Sequence, residues 1–286
     1  MTHSCSLSPW AELAACPKCR QTLAISPPAP ICRSCGRVFG YVGRSLNLLP
    51  ADFPVPAPVQ AAGYWKLPIT GWIANLYVHH NQSRRVRTTL AEFLGQLREP
   101  CWGLTVGSGN AKLHPRMISL DVNAGPQVEV LGDAQCLPFA DGVFSHLVSQ
   151  EVFEHLPDPC RAMAEVSRVL RPGGMLYLQV PFVLGFHSGP HDYWRFTGPG
   201  LRRLVQSAGL EILSCVPAVG AGTSMYRIAV DFSAAVAAAC WEKLYLPAKA
   251  LAALACSPVL LANVLTTNDA PTNRIAGGFL CVARKN

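Results

Sequence analysis

The sequence predicts an α/β fold, a mostly parallel sheet with helices on both faces and a small cysteine-bearing module in front of it. From residue 102 onward short apolar runs alternate with helical patterns, and that alternation feeds parallel strands through crossover connections. Residues 131–182, LGDAQCLPFADGVFSHLVSQEVFEHLPDPCRAMAEVSRVLRPGGMLYLQVPF, read as half of such a domain in one unbroken run. In it an acidic residue follows one strand, a second strand leads to carboxylates, and a helix ends in Arg-Pro-Gly-Gly before a third strand. The third observation is a pair of C-x-x-C knuckles near the start of the chain.

Taken in order, Leu90, Phe93, Leu94 and Leu97 recur at helical spacing and predict an amphipathic helix. Strands are expected over residues 102–106, 117–120, 128–131, 144–149 and 175–180. Helices are expected over 159–170 and 199–208, with further strands over 211–216 and 278–283. Between these last two strands lies an apolar insert, roughly residues 223–265. A membrane-crossing helix needs about 20 apolar residues, and the second half of the insert reaches that length only by including Lys249 and Pro258. Packed helices are therefore expected, with no transmembrane span; contact with a membrane surface is the second reading.

The knuckles are Cys16-Pro-Lys-Cys19 and Cys32-Arg-Ser-Cys35, separated by twelve residues. Four soft thiolates at that spacing predict a tetrahedral Zn2+ site, a zinc ribbon over residues 1–50 that needs its metal to fold. Residues 51–63, ADFPVPAPVQAAG, alternate Pro and Ala without periodicity and read as a semi-rigid linker. The remaining residues, 64–286, make up the main domain.

At 286 residues, 50% apolar and 14% charged, the chain is globular rather than disordered. Its formal charge of +7 raises a nucleic-acid reading. Residues 61–215, however, carry thirteen Lys/Arg against twelve Asp/Glu, so the main domain is nearly neutral. The densest basic run, Arg84-Arg85-Val86-Arg87, reads as a solvated helix face. Of the twelve cysteines four form the metal pattern and eight are scattered, which fits a reducing, cytoplasmic compartment. The first residues lack a basic start and an apolar core, so no signal peptide is expected.

The chemistry-bearing residues sit at successive strand ends. Gly107-Ser108-Gly109 follows a strand directly, where missing side chains let a ligand approach the backbone. Asp121 ends the next strand, placed to accept both hydroxyls of a ribose. Asp133 follows the one after, within reach of an exocyclic amine, with the Ala134 amide beside it for a ring nitrogen.

With these residues the chain resembles the class I S-adenosylmethionine-dependent methyltransferases, in particular the broad type 11-like group. Their core reads D-A-x-x-L-P-F, E-x-x-E-H and R-V-L-R-P-G-G, here beginning at Asp133, Glu151 and Arg168. The stretch PHDYWRFTGPGLRRLVQSAGLEI recurs in a subset of these enzymes. The resemblance implies a Rossmann-like, seven-stranded sheet and S-adenosylmethionine as cofactor. It implies that Gly107, Ser108 and Gly109 line the methionine and ribose end, that Asp121 holds the ribose, and that Asp133 and Ala134 hold the adenine. Gln150 and Glu151 would face the transferred methyl group. His155, His187, His191, Asp192 and Tyr193 are candidates for a general base, with His155, His191 and Tyr193 foremost. Three departures stand out: Thr105 replaces an acidic residue, Ala111 replaces the third glycine, and Ser145 replaces a common Asp.

Three functional readings follow. The first is a methyltransferase for a small-molecule or lipid-like acceptor, the second an RNA or protein methyltransferase using the ribbon for recognition. The third is a non-catalytic binding module in which the altered glycine turn no longer holds cofactor.

Overall fold

The computed structural model describes residues 10–25, 29–53, 83–187, 191–265 and 273–286. Beyond Phe53, the linker expected over 51–63 lies outside them. A short hairpin of β1 (Leu23–Ala24) and β2 (Ile31–Cys32) comes first, then β3 (Gly40–Val42) and β4 (Ser45–Asn47). The main domain adds α1 (Arg84–Leu94), β5 (Gly103–Val106), β6 (Met117–Asp121), β7 (Val130–Leu131) and β8 (Phe144–Gln150). It continues with α2 (Pro159–Val169), β9 (Leu170–Pro181), α3 (Gly198–Ser207), β10 (Leu210–Val219), α4 (Ala221–Cys240), α5 (Tyr245–Ala255) and β11 (Gly278–Lys285).

All seven strands expected of the main domain lie in one sheet, whose full order of nine is β10-β11-β9-β8-β5-β6-β7-β4-β3. Strands β5 to β9 run parallel, and β11 inserts antiparallel between β9 and β10. Strand β5 is buried at every position and β8 at all but Gln150, as central strands of a parallel sheet covered on both faces are, although β8 carries Ser145, His146 and Ser149 into the core. The chain leaves β5 toward β6 and β7 on one side and returns to β8 and β9 on the other. The carboxyl ends of β5 and β8 therefore flank the point where strand order reverses, the crevice in which open α/β sheets bind ligands.

Helix α2 starts where Asp158 accepts a hydrogen bond from the Arg161 amide at 2.9 Å, with Pro159 in its first turn. It buries Ala162, Met163, Val166 and Val169 against the sheet. On the opposite face α1 begins at Ser83, whose hydroxyl accepts from Val86 N, and buries Val86 and Phe93 beside Tyr177 and Leu280. Strand β9 starts at Leu170, earlier than expected. Phe144 pairs with Leu170 and His146 with Met175, so Arg171-Pro172-Gly173-Gly174 is accommodated as a bulge instead of a helix-to-strand loop. The apolar insert folds as helices, Tyr226 and Val230 of α4 packing on Ala252 and Ala253 of α5. No helix among the described residues is long and apolar enough to cross a membrane.

The N-terminal segment supplies the other two strands. Strand β4 pairs in parallel with β7, Leu46 opposite Val130 and Asn47 opposite Leu131. Ala15 N donates to Pro138 O at 2.9 Å and Ala140 N to Leu13 O at 3.0 Å. Leu46 and Leu48 are buried in the same core as β5 and β8. The knuckle segment is thus hydrogen-bonded to the loop that carries Asp133.

Candidate active site

A cavity of about 490 Å³ opens at the carboxyl ends of β5, β6, β7 and β8, a size typical of small-molecule sites. Its wall brings together Gly107, Gly109, Asp121, Asp133, Ala134, Glu151, His155, His191 and Tyr193, all singled out from the sequence. Gly107 is held at φ +69°, and a Cβ there would meet Val152 Cγ2 at 2.2 Å. Asp121 is fixed by two backbone amides, Gly109 N at 2.9 Å on Oδ2 and Asn123 N at 2.9 Å on Oδ1. Asp133 Oδ1 accepts from Gln135 N at 2.8 Å, which leaves Oδ2 without a hydrogen bond among the described residues.

Two expected residues stand off this wall. Ser108 is buried beneath the turn, its amide donating to Leu120 O at 3.0 Å. Gln150 turns toward the sheet: its amide donates to Gln179 Oε1 at 3.1 Å, and Gln179 Nε2 donates to Glu151 Oε1 at 3.1 Å. Gln150 therefore orients Glu151 through Gln179. Thr105, in place of an acidic residue, is buried within β5. The wall also includes residues that sequence reasoning missed, Phe53, Asn123 and Gln135 among them. Phe53 could not be foreseen because nothing in its Pro/Ala-rich surroundings marks it as near the strand ends.

The loop from Asp133 to Phe139 is gripped from behind. Arg168 donates to Leu137 O and Phe139 O, each at 2.8 Å, while Glu165 Oε2 accepts from Leu137 N at 2.9 Å. Arg168 and Glu165 form an ion pair at 2.7 Å, and Arg20 of the knuckle segment reaches Glu165 at 3.0 Å. The R-V-L-R and D-A-x-x-L-P-F patterns co-occur in this chain because one holds the other in shape.

Three carboxylates, Asp121, Asp133 and Glu151, line the cavity, and among its described lining residues there is no lysine or arginine. Such a wall disfavours phosphates and favours a cationic ligand. Burial pushes the Glu151 carboxyl above the usual carboxylate range, offset in part by the Gln179 hydrogen bond. Glu151 also sits at φ +55°, a conformation that a non-glycine residue keeps only when its surroundings hold it.

Along the His155 side of the cavity, the His155 Nδ1 hydrogen-bonds the His191 carbonyl, and the His191 and Tyr193 rings lie 5.5 Å apart. Tyr193 N and Trp194 N both donate to the Glu154 carbonyl, at 2.7 and 3.2 Å, and Trp194 Nε1 donates to Leu156 O at 2.8 Å. The Tyr193-Trp194-Arg195-Phe196 cluster so divides its work: Tyr193 forms wall, while Trp194 and the buried Phe196 pin the loop.

In the knuckles, Cys16 Sγ and Cys35 Sγ lie 3.6 Å apart, Cys19 Sγ and Cys32 Sγ 3.4 Å apart, and all four sulfurs fall within 4.8 Å of one another. Backbone amides of the second knuckle, Cys35 first, draw the Cys32 thiol down, while burial pushes the Cys16 thiol up.

A family model described as a methyltransferase domain matches residues 109–178. An uncharacterized methyltransferase of Mycobacterium sp. (strain KMS) is 40% identical over 74 residues, 24% of this chain and 29% of the relative. A demethylmenaquinone methyltransferase of Bacillus pumilus is 34% identical over 77 residues, covering 26% and 33% respectively. The chain spans a third or less of the length of these relatives. Among solved structures, Haemonchus contortus phosphoethanolamine N-methyltransferase 2 in complex with S-adenosyl-L-methionine aligns at TM-score 0.44 and 13% identity, over 74% of this chain and 56% of that one.

Proposed function

We propose that this chain is an S-adenosylmethionine-dependent methyltransferase acting on a small-molecule or lipid-like acceptor. The observation that carries this reading is the acidic cavity at the strand-order reversal, with no lysine or arginine among its described lining residues, together with the methyltransferase-domain match over residues 109–178. The residues present fit the cofactor. Asp121, preset by two amides, suits the ribose diol; Asp133 and Ala134 suit the adenine edge; Gly107 and Gly109 leave backbone open; Glu151 offers negative charge to a sulfonium. When bound, S-adenosylmethionine supplies an electrophilic methyl group. The protein's part is to hold an acceptor in line in a dry pocket, with His191 and Tyr193 on the wall to take or hold its proton.

The apolar insert supports a lipid-like acceptor or a peripheral membrane contact, since Phe232, Leu251 and Leu261 on its helical segments and Trp241 between two of them are 68, 68, 72 and 58% exposed. An RNA or protein acceptor has its own supporting observation. A second cavity, about 680 Å³, lies between knuckles and core, lined by Lys18, Arg37 and Arg161 as well as Asp52, and it shares Phe53, Asp133 and Gln135 with the first. We also propose a structural Zn2+ on Cys16, Cys19, Cys32 and Cys35. Tetrahedral Zn–S bonds of about 2.3 Å place sulfurs roughly 3.8 Å apart, close to the spacings observed.

The test of the donor side is calorimetry of S-adenosylmethionine on the zinc-loaded protein. Binding is expected, weakened about tenfold or more by Asp121→Ala or Asp133→Ala, the range for hydrogen bonds to charged groups. Absence of binding by the intact protein overturns the reading. Mass spectrometry after incubation with methyl-labelled cofactor and either lipid extract or RNA separates the acceptor classes; binding of RNA that falls steeply with salt favours the second.

A further inference from the structure

Behind the His155 wall of the cavity, three side chains from separate parts of the chain converge. Glu154 and His155 lie on the 3-10 turn after β8 (Phe153–His155), and His187 comes from the segment after β9. The Glu154 side chain is fully buried, and neither of its oxygens has a hydrogen-bond partner among the described residues. His155 Nε2 stands 3.6 Å and His187 Nε2 3.8 Å from Glu154 Oε1. The three ligand atoms all lie within 4.8 Å of one another.

We propose that Glu154, His155 and His187 form a binding site for one divalent transition-metal ion. The distances are too long for direct hydrogen bonds, which run about 2.7–3.2 Å. They match atoms that share an ion, since ligands at about 2.1 Å in a tetrahedral arrangement stand roughly 3.4 Å apart. A buried carboxylate with no donor is costly, and a cation at this point would answer both of its oxygens and both imidazole lone pairs together.

The surroundings are those of a metal-binding pair of histidines. His155 faces the His191 carbonyl with Nδ1, so that nitrogen carries the proton and Nε2 presents its lone pair toward Glu154. His187 Nδ1 lies 3.6 Å from Asp192 Oδ2, and Asp192 accepts from His187 N at 2.9 Å and is clamped by the Arg195 guanidinium. The carbonyl partner sets the tautomer of His155, and the clamped Asp192 fixes the backbone that carries His187. Two imidazoles and one carboxylate suit a first-row divalent ion with open positions. His155 also lines the main cavity beside Glu151, so an oxygen of the acceptor is the ligand those open positions would take. That last role rests on the methyltransferase reading; the metal site itself does not.

The test uses the full chain with its four knuckle cysteines filled by zinc, titrated with Mn2+ alone and followed by the paramagnetic resonance signal of free Mn2+. Manganese avoids thiolates, so it reports the nitrogen and oxygen site. One equivalent of Mn2+ per chain is expected, with affinity lowered about tenfold or more in His187→Ala and in Glu154→Gln. If Glu154→Gln misfolds by circular dichroism, His187→Ala decides. No uptake of Mn2+, and no Zn2+ or Co2+ beyond the knuckle equivalent, overturns the inference, as does uptake unchanged in His187→Ala. Cofactor binding without metal uptake defeats this site alone, and metal uptake without cofactor binding defeats the methyltransferase reading alone.

Discussion

Gly107 shows how one missing side chain shapes the site. Its φ of +69° and the Val152 methyl 2.2 Å from a would-be Cβ mean that Gly107→Ala must displace either the turn or Val152, both of which line the cavity. Destabilisation of about 1–3 kcal/mol is expected, measured by chemical denaturation, together with loss of S-adenosylmethionine binding. His146 illustrates the opposite case, a polar residue kept neutral in the core. It is 7% exposed on β8, contacts the Ser145 hydroxyl at 2.9 Å and packs edge-on against Phe93. Burial, aided by the charge of Arg171, pushes its pKa down to about 4 from 6.5. The unfolded chain therefore binds the proton first as pH falls. The stability this group contributes is complete above about 6.5 and is lost between 6.5 and about 4, at most about 3 kcal/mol. Melting curves across that range should show an acid-side decline that His146→Gln flattens.

Among the elements, helix α2 does more than cover the sheet. Through Arg168 and Glu165 it holds the Asp133 loop from outside the cavity. Removing one partner of a buried ion pair typically costs about 3–5 kcal/mol when the other is left uncompensated, but Glu165 keeps Arg20 and the Leu137 amide. Arg168→Ala should therefore lower stability by less, about 1–3 kcal/mol, and weaken S-adenosylmethionine binding, although Arg168 does not line the cavity. Unchanged calorimetric affinity in a folded Arg168→Ala protein would count against this link. The start of the helix is legible because Asp158-Pro159 is a strong N-terminal signal. Strand β9 starts earlier than its apolar run suggests because a bulge keeps the pairing across Arg-Pro-Gly-Gly, and only the register with β8 reveals it.

For the molecule as a whole, the sheet joins the cysteine knuckles to the strand ends. Strand β4 extends the sheet beyond β7, Arg20 reaches Glu165, and the Cys136 thiol contacts the Pro17 carbonyl at 3.2 Å. Stripping the proposed knuckle Zn2+ is therefore expected to reach the Asp133 side of the cavity. Chelation, or Cys16→Ser with Cys19→Ser, should lower the Tm by several degrees and reduce S-adenosylmethionine affinity. Scanning calorimetry and titration check both, and an unchanged affinity after verified zinc loss would show the module to be energetically separate.

The positions of the main-domain strands along the chain, the glycine turn, Asp121, Asp133 and the four cysteines could be read from the sequence because each lies in a local pattern: an apolar run, a strand end or a C-x-x-C spacing. Local patterns of a few residues set backbone conformation and polarity directly. The addition of β3 and β4 to the sheet, Phe53 on the cavity wall, Gln150 turning to Gln179, and the meeting of Glu154 with His187 and Asp192 were decided by the tertiary structure. Those contacts join segments tens of residues apart through burial and hydrogen bonding. Two- and three-residue strands and isolated polar side chains carry no periodicity, so their partners exist only once the core has closed around them.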